Sequence, residues 1–251
     1  MGYMGARRDN GELGHLQART YVDQVVGVVI GQAASGRILP GGRINELRLA
    51  RELGISRAPI REALRILVAQ GVAESVAYQG VRLAPMTAER VQQISEVRFE
   101  LEKLALRKLS LMREDATLLK TLKNLIEDMR VAVRRSDLLA LVTLDADFHE
   151  AIMRAAENPV LLRFWQMLRP QLIIMFGLGA MSKSLRKIVE EHRKLLGDFE
   201  SGKLKRIEDT LSEHILADNM AIDYARINPV TPVTAEKKGA FSKAKARRTV
   251  K

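Results

Sequence analysis

The chain has 251 residues, 47% of them hydrophobic and 28% charged but only 4% aromatic, a balance that suits two globular domains packed from aliphatic helices rather than a sandwich or barrel. It contains no cysteine, which excludes disulfides, thiolate zinc fingers, iron–sulfur clusters and cysteine nucleophiles and fits a reducing cytosol. The net charge is +11, no stretch approaches about 18 uninterrupted apolar residues, and the start, MGYMGARRDNGELG, has no apolar h-region, so neither a membrane span nor a signal peptide is expected.

Residues 1–18 are polar and contain glycine, and are expected to be a flexible arm. A helix begins near Thr20 and runs through VDQVVGVVIGQAA to Gly36. The stretch RINELRLARELGISRAPIREALRILV then reads as two helices joined by a tight turn: Asn45 caps the first, Gly54 ends it, and Ser56 caps a second that carries Pro59 in its first turn. This is helix-turn-helix spacing. In the second helix Ile60, Ala63, Leu64, Leu67 and Val68 form one apolar face that must pack on a body. Arg57, Arg61 and Arg65 follow one another at i, i+4 and i+8 along its flank. Guanidinium forks pair bidentately with phosphate or with the O6 and N7 edge of guanine, so this row suits the major groove; its bland reading is a solvated face balanced by Glu62. Gly71 ends the helix, and VAESVAY, a Gln79-Gly80 turn and VRLAP read as a two-stranded wing. Residues 19–85 carry nine arginines against five acids and no lysine, a local electrostatic footprint for nucleic acid.

At Pro85-Met86-Thr87 the strand alternation stops and helical periodicity starts, which divides a winged helix at 19–85 from an all-helical domain at 86–227. Helices are expected near 88–110, 115–134, 137–156, 159–180, 184–201 and 203–226, forming an antiparallel bundle. Residues 228–251 hold seven Lys/Arg against one acid without apolar periodicity and are expected to be a disordered basic tail. Three of the chain's four histidines fall in the bundle. Asp145 and His149 share one helix face at i, i+4, and His192 and His214 come from the last two helices; imidazole and carboxylate together suit zinc, nickel, manganese or iron, while the plainer reading makes each histidine a surface or satisfied core residue. Arg98 and Glu102, also i, i+4, fit either a surface salt bridge or a ligand anchor. Met112, Met129, Met153, Met167, Met175, Met181 and Met220 read as core filler. No phosphate loop, nucleophile elbow or H-E-x-x-H motif is present, so enzyme signals are weak.

GRILPGGRINELRLARELGISRAPIREALRILVAQGV resembles the N-terminal domain of the GntR family of bacterial transcription regulators, with Gly36, Pro40, Gly41, Leu49, Ala50, Ser56, Arg57, Pro59, Arg61, Glu62, Ala63, Leu64 and Gly71 at family positions. The resemblance implies DNA contacts from Arg43, Arg48, Ser56, Arg57, Ala58 and Arg61, with Gly80 at the wing tip approaching the minor groove. The chain departs from many relatives at Leu47, where an arginine is common, and at Gln79, where a basic residue is common. LDADFHEAIMRAAEN and EEHRKLLGDFESGKLKRIEDTLSEHI are similar to the D-x-x-x-H motif and the two later histidines of the FCD ligand-binding domain of the FadR subgroup. That likeness implies a divalent metal held by Asp145, His149, His192 and His214, and an effector carboxylate held by Arg98.

The expected fold is mainly α, an N-terminal winged helix-turn-helix followed by an antiparallel six- to seven-helix bundle. The expected function is a metabolite-responsive regulator in the bacterial cytoplasm, associated with the nucleoid. It would act as a homodimeric repressor on a short palindromic double-stranded operator, released or retuned by a small carboxylate bound at a metal site, with no membrane partner. The alternatives are a metal-dependent hydrolase using Glu150 or Glu191 as base, and a DNA-binding protein whose metal is purely structural.

Overall fold

The computed structural model describes residues 20–110, 116–181 and 184–217. Helix α1 (Tyr21–Ala34) opens on a capping box: the Thr20 hydroxyl accepts from the Asp23 N–H at 3.1 Å while the Asp23 carboxylate accepts from the Thr20 N–H at 3.2 Å. Helix α2 (Glu46–Leu53) is capped by Asn45, whose side chain accepts from the Arg48 N–H, and stops at Gly54, where φ of 65° suits a residue without a Cβ. Helix α3 (Arg57–Ala69) starts after Ser56. Ser56 occupies the cap position in extended backbone, but contrary to expectation its side chain makes no capping bond. Strands β1 (Ala73–Val76) and β2 (Gly80–Leu83) pair antiparallel from Ala73↔Leu83 to Val76↔Gly80, and Arg43 joins the hairpin through a bridge to Arg82. Ile60, Ala63, Leu64 and Leu67 of α3 are buried against α1, as the apolar spacing requires.

The bundle comprises α4 (Ala88–Leu109), α5 (Ala116–Arg134), α6 (Leu138–Ala155), α7 (Pro159–Ala180), α8 (Leu185–Glu200) and α9 (Leu204–Ser212), which continues into a π-helical turn, Glu213–Ala217. Thr87, Asp137 and Asn158 cap α4, α6 and α7 through their side chains, and Pro159 stands in the first turn of α7. The last helix, expected as one regular run over 203–226, turns π-helical at Glu213; what was expected beyond 217, the basic tail included, lies outside the described residues, as do the arm, Met112 and Met220. Met129, Met153 and Met175 fill the core, whereas Met167 and Met181 are about half exposed or more and are not filler. Among the described residues no helix is long and apolar enough to cross a membrane.

Winged helix and bundle share one continuous apolar core, because α1 lies across α7. At the crossing the backbones touch: a Cβ on Gly177 would sit 2.3 Å from the Ala34 carbonyl oxygen, so only glycine permits the approach. Polar contacts fasten the end of α3 to the same place. Arg90 of α4 donates to the Gly71 carbonyl at 2.5 Å and to Gln171 of α7 at 2.9 Å, and the Gln171 amide donates to the Gln70 carbonyl at 2.8 Å. The C-terminal end of the second helix of the helix-turn-helix is therefore held jointly by α4 and α7.

Candidate DNA-facing surface and buried metal centre

Arg43, Arg48, Ser56, Arg57, Ala58, Arg61 and Gly80 are all exposed. Arg57 and Arg61, one turn apart on α3, both reach the same Glu46 carboxylate oxygen at the start of α2, at 3.5 and 3.2 Å, and both side chains remain more than half exposed. Arg65 pairs with Glu62 at 3.4 Å and Arg48 with Glu52 at 3.6 Å. Such exposed pairs are worth about 0–1 kcal/mol each, little to give up when a phosphate or a guanine edge is on offer. Arg61 and Arg65 of α3 line one groove together with Ser75 and Val81 of the wing, and the Arg43 guanidinium lies about 4.0 Å from where a Gly80 Cβ would be. Helix and wing thus present one continuous arginine-bearing surface.

The second site lies inside the bundle. Asp145 and His149 from α6, His192 from α8 and His214 from the π turn offer ligand atoms that all lie within 4.8 Å of one another. His149 Nε2 is 3.2 Å from His214 Nε2 and 3.7 Å from Asp145 Oδ1, and His192 Nε2 is 3.5 Å from Asp145 Oδ1. Neighbouring donors on one ion at about 2.1 Å stand about 3.0 to 3.4 Å apart, so the set has the dimensions of a coordination shell. Two of its atoms, Asp145 Oδ1 and His192 Nε2, are buried without a hydrogen-bond partner, which is costly unless a cation satisfies them. Donor set and burial both fit a divalent ion.

The backs of two of the rings are held by hydrogen bonds, and the third faces a carboxylate. Glu102 of α4 accepts from His149 Nδ1 at 2.7 Å, the Ile188 carbonyl accepts from His192 Nδ1 at 2.8 Å, and Glu191 lies 3.7 Å from His214 Nδ1. A carboxylate or carbonyl on Nδ1 fixes the tautomer that leaves Nε2 free to ligate. Burial, helped by the Arg98 charge, pushes His149 far below the usual imidazole range, and burial also lowers His214, which favours the neutral rings that a metal ion would need. Burial would lower His192 too, but the Asp145 carboxylate outweighs it and raises it. Burial would raise Asp145, yet His192 first, then His149 and His214, hold it far below the carboxylate range.

Arg98 and Glu102 are each 1% exposed, which overturns the surface salt bridge reading. Arg98 Nε donates to Glu102 Oε1 at 2.7 Å, and its guanidinium lies 4.8 Å from the Phe176 ring centre and 5.9 Å from that of Trp165. Its Nη2 is buried with no partner, as is Trp165 Nε1. Burial holds the Glu102 carboxyl above the usual carboxylate range, and the adjacent Arg98 charge offsets only part of that. Glu102 therefore turns one oxygen to Arg98 and the other to His149, which joins Arg98 to the histidine cluster. In the sequence Glu102 stands out only as the i+4 partner of Arg98; its tie to His149, 47 residues on, has no local signal. Glu150, one candidate base for a hydrolase, is engaged by Arg154, Gln166 and Arg169.

Residues 23–83 match the family described as bacterial regulatory proteins, gntR family, and residues 93–217 match the FCD domain. A protein named probable D-xylose utilization operon transcriptional repressor from Paenarthrobacter nicotinovorans is 27% identical over 202 residues, 80% of this chain and 88% of that protein. The gluconate operon transcriptional repressor of Bacillus licheniformis is 30% identical over 166 residues, covering 66% of this chain and 67% of that protein. Among solved structures, E. coli McbR/YncC aligns with a TM-score of 0.69 at 23% identity, covering 84% of this chain and all of that one, which is a likeness of fold.

Proposed function

Because the chain belongs to the GntR family of bacterial transcription regulators and carries an FCD domain, we propose that it is a metabolite-responsive repressor whose operator binding is relieved by a small carboxylate. It is a DNA-binding regulator and not an enzyme. It acts in the bacterial cytoplasm on the nucleoid. The winged helix and the helical bundle are its DNA-reading and effector-binding domains, with the division at Pro85. In this reading Arg57 and Arg61 enter the major groove from α3, Arg43, Arg48, Ser56 and Ala58 contact backbone and base edges nearby, and Gly80 brings the wing to the minor groove.

Asp145, His149, His192 and His214 would hold a divalent ion, zinc, nickel, manganese or iron. Once bound, the ion supplies Lewis-acidic positions for carboxylate and hydroxyl oxygens of the effector. Arg98 binds a further carboxylate through Nη2, and Phe176 and Trp165 keep water from that pair. The observation that carries this reading is the buried, unpartnered Arg98 Nη2 next to four converging ligand groups. It favours a small hydroxy or dicarboxylic acid over a neutral ligand.

An effector regulates only through unequal affinity for the two arrangements, and a typical coupling of about 1–3 kcal/mol changes operator affinity about 5- to 150-fold. The path is short. Helix α4 carries both Arg98 and, two turns earlier, Arg90 at the end of α3; α7 carries Trp165, Phe176 and, between them, Gln171 on the Gln70 carbonyl. Closing α4 and α7 on a ligand shifts both grips on α3 and spoils a half-site spacing of about 34 Å. Arg98→Ala is expected to bind operator as wild type does but to lose release by carboxylates. Operator titrations with a panel of hydroxy and dicarboxylic acids, with thermal shift alongside, decide it; wild-type release by Arg98→Ala moves the effector site elsewhere.

Reading a palindrome takes a two-fold dimer, and we assign its interface to α4 and α7. Val97 and Leu104 on α4, and Val160, Phe164 and Met167 on α7, are each about half exposed or more and fall at i, i+4 and i+7 spacing. The bond from Lys108 to the Glu157 carbonyl sets the end of α4 beside the start of α7, so the two stripes adjoin. A second copy of this chain covers them. Phe164→Glu is expected to sediment as a monomer at micromolar concentration with its helical content retained; an unchanged dimer places the interface on another face.

A further inference from the structure

The tip of the wing holds a residue that the fold itself has no use for. Tyr78 has a relative exposure of 108%, the highest of any large hydrophobic side chain among the described residues, so its ring packs against none of them. Its backbone is left-handed, with φ of 62°. Two other non-glycine residues among those described share that sign, Ser136 and Glu157, and both lie just beyond helix ends, where left-handed backbone is routine. Tyr78 instead sits in the middle of the three-residue loop between β1 and β2, a position that Gly, Asn or Asp would fill without strain and an aromatic residue rarely adopts.

The loop around it is firmly determined by other residues. The Gln79 N–H donates to the Val76 carbonyl at 3.0 Å, and Arg82 donates to the Gln79 side chain and to the Gly41 carbonyl, both at 2.9 Å. The hairpin therefore holds Tyr78 in place without help from its ring. Solvent exposure of a large ring and a left-handed backbone both disfavour the folded state, and a strained residue kept by its surroundings points to work done outside the fold. Its neighbours say what kind: the Arg43 guanidinium is at the wing tip, and the wing and the arginine flank of α3 line one groove.

We propose that Tyr78 is a DNA contact of this protein, its ring lying against the sugar walls of the minor groove and its hydroxyl donating to a backbone phosphate, beside Arg43. A flat, amphipathic side chain has both faces that such a site needs. The Gln79 side chain is turned back onto Arg82, so Tyr78 is the exposed side chain that the wing tip offers to the backbone. The inference rests on the DNA-binding reading of the winged helix but not on the metal or the effector.

The test separates binding from stability. Full-length protein is titrated against a duplex recovered by the wild type from a random-sequence pool, and thermal unfolding is followed without DNA. Tyr78→Gly is expected to raise the melting temperature, because the strain is gone, while weakening binding about 5- to 20-fold and removing protection at the minor groove in hydroxyl-radical footprints. Tyr78→Phe, which keeps the ring, loses about 2- to 3-fold. Wild-type affinity and footprint in Tyr78→Gly overturn the proposal and leave Tyr78 as an ill-suited turn residue. Recovery of no duplex at all by the wild type sinks the DNA-reading assignment itself, a different failure.

Discussion

Arg57→Ala and Arg61→Ala are each expected to lower affinity for a selected operator duplex about 5- to 150-fold, which corresponds to about 1–3 kcal/mol for the loss of a base-reading arginine. The double variant is expected to fall to the non-specific level. The fold should not notice either change. Both side chains are more than half exposed, both pair with Glu46 in exposed geometry, and the apolar face of α3 lies on the other side, at Ile60, Ala63, Leu64 and Leu67. Because the two arginines share one carboxylate oxygen, their effects are coupled and need not add. Anisotropy titrations between about 50 and 200 mM salt, with circular dichroism as the check on folding, measure both affinity and the number of phosphate contacts through the salt slope. Affinity within twofold of wild type for both variants would remove α3 as the reading helix.

Loading and stripping of metal should produce the largest change in stability. Purified protein is expected to carry about one divalent ion per chain by elemental analysis, and chelation should lower its melting temperature. At an ion concentration a thousand times the dissociation constant, binding contributes about 4 kcal/mol, and at about 2–4 °C per kcal/mol for a chain of this size the shift is roughly 8–16 °C. His192→Ala should lack that shift, since it deletes a fully buried imidazole whose Nε2 lies 3.5 Å from Asp145 Oδ1 at the proposed ion. Glu102→Gln should weaken zinc about 10- to 100-fold without touching a ligand. Its two oxygens accept from Arg98 and His149, and an amide has one accepting oxygen for those two donors. A wild type that binds no zinc, nickel or manganese would return the three histidines to packing; a His192→Ala variant with the full shift would put the ion elsewhere.

Spacing that repeats along one helix was readable because it depends only on neighbours. The apolar face of α3, the cap at Asn45 and the stop at Gly54 all follow from local chemistry, and the structure forms them. Ser56 shows where that chemistry stops: the residue type suits a cap, but its side chain makes no capping bond. Met181 and Met167 failed in a related way, since hydrophobic character does not say which helix face a neighbour will cover.

From the residues alone came the two-part organisation, the helix-turn-helix with its arginine row, and the candidacy of Asp145, His149, His192 and His214, since residue type and interval are properties of the chain. Only tertiary structure could decide the rest. Whether Arg98 and Glu102 form a surface pair or a buried one depends on α6 and α7 packing over α4, and that packing brings His149, Trp165 and Phe176 against them. The grip of Arg90 and Gln171 on the end of α3 joins positions up to 101 residues apart, and the backbone contact at Gly177 exists because α1 lies across α7. Interactions of this kind are set by how helices cross, and no local pattern in the chain encodes a crossing; the strain at Tyr78 likewise belongs to the hairpin that imposes its φ, not to the tyrosine.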